Sequence, residues 1–148
     1  MSANENRSWV PLGPWRIRTD AGLPSLADVR RFVEAVTTSV DLDGERAFDV
    51  KVAVSEACAN AMEHAHGRSA TVEVRADIRN SRLLFEIIDS GCFAAPGAVA
   101  QSDGGLRGLG LPLMITLMDE VGVRRVPEQG TVVTLAVYLD RFPLQARS

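Results

Sequence analysis

Cysteine is scarce: Cys58 and Cys92 alone suggest neither a disulfide framework nor a metal site. The two histidines, His64 and His66, supply no Cys/His ligand set for zinc. No apolar run reaches the roughly 18 residues that a membrane span needs, so no membrane attachment is expected. The opening stretch from Met1 to Arg7 is polar and lacks the apolar core of a signal peptide, which points to a cytoplasmic protein. A formal charge of −3 gives no basic field for phosphate backbones, so direct nucleic-acid binding is not expected. What remains is 148 residues with the apolar (46%) and charged (24%) fractions of an ordinary globular protein. That length fits one domain, expected over residues 15–142, with a flexible lead-in at 1–14 and a tail at 143–148.

The periodicities order the elements. Trp15 to Thr19 alternates and predicts a first strand on a sheet edge. Ser25 to Asp28 resembles a capping box in which Asp28 replaces the usual Glu, and helical spacing from Leu26 to Val36 predicts a helix over 25–40. A second helix is expected from Asp43, as N-cap, to just before Gly67. Strands are expected at Thr71–Ala76 and, more continuously apolar and therefore central, at Leu83–Ile88. Residues 89–110 are too long for an idle connection and read as a functional loop. A helix opening near Leu111-Pro112 and a hairpin of Val121–Val126 with Thr131–Leu139 complete the chain. The order predicts an α+β sandwich: one mostly antiparallel sheet with helices on one face.

The second helix carries the most information. Glu56, Asn60 and His64 recur every fourth residue in a run otherwise built of Val, Ala, Cys and Met. Steps of four turn through about 400°, so the three side chains form one stripe. A helix apolar on most sides is buried, and buried polar groups need partners, so a metal ion, a phosphate or other side chains should face that stripe. Singly, each residue has a structural explanation: a satisfied core amide, a salt bridge to an arginine, a histidine favoured by the helix dipole.

Three further signals gain weight in company. Asp89-Ser90-Gly91 ends an apolar strand, where an Asp accepts from an exocyclic amine and a Gly lets a flat ring approach; alone it reads as a turn. Gly104 to Gly110 runs into a helix, so its amides and the helix N-terminus suit an anion, with Arg107 adding a full charge. No Lys-Ser or Lys-Thr follows those glycines, which excludes a P-loop, and helices precede the strands, which excludes a Rossmann unit. Thr131, after Gly130, places a hydroxyl at the start of the last strand.

Together these residues resemble the four boxes of the GHKL (Bergerat-fold) ATPase superfamily, and most of all the anti-sigma factor serine/threonine kinases within it. Glu56, Asn60, Ala61 and His64 match the helix box, Asp89-Ser90-Gly91 the adenine box, Arg107 to Leu111 the phosphate box and Gly130-Thr131 the last box. The resemblance implies ATP and Mg²⁺ as cofactors: Asn60 on the metal, Asp89 on the adenine amine beside Gly91 and Thr131. It implies Gly105, Arg107, Gly108 and Gly110 around the phosphates, with 92–106 as a short lid. Phosphate contact and plain helix packing both stay open for His64. The resemblance also implies that Glu56 acts on the attacking hydroxyl. A metal–phosphate neighbour would keep it ionised, so orientation is favoured over proton abstraction. Cys92-Phe93 follows where many members carry a second glycine.

The implied function is that of an anti-sigma factor. Such a protein sequesters a sigma factor and phosphorylates a serine of a STAS-domain antagonist, commonly as a homodimer. Two other readings stay open: a nucleotide-gated sequestering protein without chemistry, and a histidine-kinase catalytic domain. Against the latter, no dimerisation helix bears a phosphoacceptor histidine, and a gyrase- or chaperone-like ATPase would need further domains.

Overall fold

A computed structural model describes residues 13–20, 25–64, 71–89, 110–126 and 130–139. Its elements are β1 (Trp15–Asp20), α1 (Ser25–Ser39), α2 (Gly44–His64), β2 (Thr71–Arg79), β3 (Arg82–Asp89), α3 (Gly110–Leu117), β4 (Glu120–Val126) and β5 (Gly130–Tyr138). The strands form one sheet in the order β1-β2-β3-β5-β4, with every pairing antiparallel. β1 is an edge and β3 is central, as the sequence predicts.

Two-residue alternation decides which face of the sheet is covered. On β3, Leu83, Phe85, Ile87 and Asp89 are buried, while the residues between them are less so. Cross-strand partners continue that face: Val74 and Val133 flank Ile87, Ala76 and Leu135 flank Phe85. α1 lays Val29, Val33 and Val36 into the same core, and α2 adds Val50, Ala53, Val54, Ala57 and Cys58 at i, i+3, i+4, i+7 and i+8. All the described helices therefore act on one face, giving the expected α+β sandwich.

The ends of the elements have local causes. The Asp43 carboxylate accepts the Arg46 amide at 2.9 Å, and the Asp43 carbonyl accepts that of Ala47 at 2.8 Å, which caps α2 as anticipated. The capping-box expectation for Asp28 is not met among the described residues; its carboxylate instead accepts from Arg31 at 2.6 Å. β2 continues past Ala76 to Arg79, since Asp77, Ile78 and Arg79 all pair with β3. Asn80 and Ser81, with φ of 53° and 63°, turn the hairpin in the left-handed region that two-residue loops need.

Burial pushes the Cys58 thiol up to about 12, so its nucleophilic thiolate is suppressed at neutral pH. A thiol reagent followed by mass spectrometry should label the Cys58 peptide only once the protein is unfolded. Labelling of the native protein at the rate of a free thiol would contradict this packing.

The sheet face opposite the described helices holds a nearly buried charge. Glu73, 7% exposed, meets Arg75 at 3.0 Å, Arg18 at 3.5 Å and Arg16 at 3.6 Å. Burial alone would raise its carboxyl, but the Arg75 hydrogen bond and the three guanidinium charges outweigh that and hold it below the ordinary range. A depressed folded-state value stabilises the fold above the unfolded value of about 4.3 and is lost as pH falls through the lower folded value. The urea midpoint should therefore fall less steeply below pH ~4 in Glu73→Gln than in the parent; equal slopes would remove Glu73 from the account of acid stability.

Candidate active site

The Arg46 guanidinium near the start of α2 bonds the Asp119 carboxylate, and Asp119 also accepts the Tyr138 amide at 2.7 Å. This staple pins the N-terminus of α2, the end of α3 and the end of β5 to one end of the sheet. A rise of about 1.5 Å per residue carries Asn60 about 21 Å from Arg46. Along β5, Thr131 lies about 23 Å from Tyr138 at about 3.3 Å per residue. Asn60 thus arrives at the opposite end of the sheet, where β3 finishes at Asp89 and β5 begins.

Helical phase sets the direction in which the stripe points. The separation from Arg46 to Asn60 is close to four turns of about 3.6 residues, so both lie on the side of α2 that faces α3. Lys51 marks the other side, where it bonds Glu34 of α1 at 2.7 Å. Glu56 and Asn60 are each half-buried on the α3-facing side. The Asn60 Nδ2 is buried with no hydrogen-bond partner among the described residues. Its amino group is therefore not satisfied by the described residues. Glu56 has no ion pair among the described residues either, which leaves its carboxylate open to a ligand.

Below that wall lies a polar pair. Asp89, 3% exposed, stands directly across from Thr131, and strand alternation turns both toward the helices. Directly opposed residues bring their Cβ atoms to about 4.5–5.5 Å, so a carboxylate and a hydroxyl form one acceptor–donor platform. Two signals that the sequence separates by more than forty residues thus become neighbours. α3 ends at the Arg46–Asp119 staple and packs on α2, so its N-terminus at Gly110 opens toward the same end as Asn60. That end carries the positive pole of the helix.

The structure pairs Asp89 with Thr131 and places Asn60, Glu56 and the Gly110 end of α3 toward the same end of the sheet. His64 closes α2, but its side chain lies outside the described part of the structure. Gly91, Gly105, Arg107 and Gly108, with the rest of 92–106, lie outside the described residues as well.

The Asn60 Nδ2 donor, orphaned among the described residues, suits an acceptor such as a phosphate oxygen, while Oδ1 of the same amide is the atom that could face a cation. No group of three or more His, Cys, Asp or Glu converges as a metal cage among the described residues. Mg²⁺ keeps several waters and shares phosphate oxygens, so a single Asn60 oxygen is an adequate protein contribution and the residues present fit the group. Among the described residues, no helix is long and apolar enough to cross a membrane.

Comparison with known proteins bears on the family and the fold. Residues 19–137 match the family described as the histidine kinase-like ATPase domain. The chain is 31% identical over 120 residues to the anti-sigma F factor of Caldanaerobacter subterraneus subsp. tengcongensis, covering 76% of this chain and 84% of that protein. It is 32% identical over 127 residues to the serine-protein kinase RsbW of Bacillus subtilis, covering 76% and 77%. Among solved structures, the RsbU and RsbW domains of a Mycobacterium tuberculosis protein superpose with a TM-score of 0.69 at 22% identity. That match covers 87% of this chain and 33% of the longer one, and it speaks to the fold.

Proposed function

Because the chain belongs to the histidine kinase-like ATPase domain family, we propose that it binds ATP with Mg²⁺ and transfers the γ-phosphoryl group to a serine of a partner protein. In the fuller form of this reading, it is an anti-sigma factor. It sequesters a sigma factor and phosphorylates a STAS-domain antagonist that would otherwise release it. Relatives named anti-sigma F factor and serine-protein kinase, similar over about three quarters of the chain, support the partners and the chemistry. The observation that carries the reading is the buried Asn60 Nδ2, without a hydrogen-bond partner among the described residues, one helical turn from Glu56, which has no ion pair among them, at the end of the sheet that holds the Asp89–Thr131 pair.

In this reading Asp89 accepts the exocyclic amine of adenine, Gly91 gives the ring room and Thr131 supports the base from the neighbouring strand. Asn60 holds Mg²⁺, which when bound neutralises phosphate charge and aligns the transferring group. The N-terminus of α3 offers amides to the phosphates, joined by Gly105, Arg107, Gly108 and Gly110, with His64 a further phosphate contact. Glu56 accepts a hydrogen bond from the substrate serine hydroxyl and directs its oxygen at the γ-phosphorus. The new Ser O–P bond forms as the bond to the β–γ bridging oxygen breaks and ADP leaves, and the serine proton departs late, to an oxygen of the transferred phosphoryl group and then to solvent. Such transfer depends mainly on position and charge neutralisation, which is what this set of groups supplies. The reading includes a homodimer joined through the β1 edge and Trp15, with sedimentation as its check; a monomer at all concentrations would remove that part alone.

Incubation with γ-labelled ATP, Mg²⁺ and lysate from the source organism tests the chemistry. A small acid-stable labelled protein, absent with Glu56→Ala, is the expected result. An acid-labile label would indicate histidine chemistry. ATP binding with no labelled protein would leave a nucleotide-gated sequestering protein.

A further inference from the structure

We infer that Arg125 is a nucleotide-binding residue, contacting the polyphosphate from the floor of the site; this deepens the ATP-binding reading above and rests on it. Arg124 and Arg125 are consecutive on β4, so the pleat sends them to opposite faces of the sheet. Arg125 stands across from Thr131, which itself stands across from Asp89. The three residues form one row on the helix-covered face. With about 4.8 Å between strands, Arg125 lies about 10 Å from Asp89 along that row. α3 is short and ends at the far staple, so it covers only the distant half of β4. Its N-terminus points to the end of the sheet where Arg125 stands.

The exposure pattern agrees. Val123, on the same face of the same strand, is 41% exposed, and Arg125 is exposed, although Val133 beside Val123 is 6% exposed. Most of the other described arginines are tied to carboxylates, as Arg46 is to Asp119 and Arg82 to Glu120. Arg125 has no ion pair among the described residues. A guanidinium without an ion pair among the described residues, in one row with a carboxylate–hydroxyl platform, suits an anion held bidentately. The base is assigned to Asp89, so the anionic group within reach of Arg125 is the phosphate tail.

Calorimetric titration of Mg·ATP and of adenosine into the parent protein, Arg125→Ala, Arg125→Lys and Arg124→Ala tests this. Arg125→Ala should weaken Mg·ATP about tenfold and leave adenosine unchanged. Arg125→Lys should recover part of the loss. Arg124→Ala, which faces the other side, should match the parent. Parent-like Mg·ATP affinity in Arg125→Ala, or equal losses for ATP and adenosine, would overturn the phosphate contact while the ATP reading stood. A parent protein that binds no ATP would overturn both.

Discussion

Replacement of Asn60 by alanine should abolish nucleotide binding while leaving the free protein at least as stable as before. The two halves of this expectation have separate causes. Asn60 is the residue assigned to the metal, so its loss removes the link between helix α2 and the phosphates. Its Nδ2, however, is buried without a partner among the described residues, a state that costs roughly 1–3 kcal/mol in the folded protein. Alanine removes that cost and is the better helix former. Thermal melts separate the effects. In the parent, Mg·ATP at about a hundredfold over Kd should add about 2.7 kcal/mol, or roughly 5–10 °C in Tm. Asn60→Ala should show no nucleotide-dependent shift and an unliganded Tm equal to or above the parent's. A large fall in unliganded Tm would mean that the amide is satisfied in the fold and is not waiting for a ligand.

The second large effect belongs to Glu56. Glu56→Ala should bind Mg·ATP normally and transfer phosphate roughly 100- to 10,000-fold more slowly. The physical basis is that Glu56 carries no ion pair among the described residues, so its loss disturbs little of the fold. Glu56→Gln refines the role, because a glutamine oxygen still accepts a hydrogen bond from a serine hydroxyl but is not a base. If orientation is the main contribution, single-turnover rates should rank parent, then Gln, then Ala. Rates for Gln and Ala that fall together would assign proton abstraction to Glu56. Normal transfer by Glu56→Ala would remove the residue from the mechanism.

Local periodicity makes much of this molecule legible in its sequence. The i, i+4 spacing of Glu56 and Asn60 places both on one helical stripe, and the Asp43 cap sets where that helix begins. The continuous apolar run of β3 marks the centre of the sheet. What sequence does not supply is non-local. Nothing in the strand patterns announces that Asp89 registers with Thr131, because no hairpin turn joins β3 to β5: α3 and β4 lie between them in the chain. The strand expected from the sequence ends at Ala76, although polar and apolar residues go on alternating through Asp77, Ile78 and Arg79; in the fold Asp77 stays in the strand and accepts the Ile78 amide at 2.8 Å. The Arg46–Asp119 staple joins residues far apart in the chain, and it fixes the direction of α2 and α3 over the sheet. Arg125 escapes a sequence reading for the same reason: its neighbours become known only with the register of β4 on β5. A pair of arginines inside a strand pattern, one residue on each face, is the only clue that the sequence offers.

The most direct test of the central claim is amide chemical-shift mapping with a non-hydrolysable ATP analogue and Mg²⁺. The account predicts the largest changes in the second half of α2, at the end of β3, at the start of β5 and in the first turn of α3, with the Asn60 side-chain amide among the most strongly shifted signals. Shifts clustered instead on the open face of the sheet around Arg16, Arg75 and Arg79, or none at saturating analogue, would contradict it.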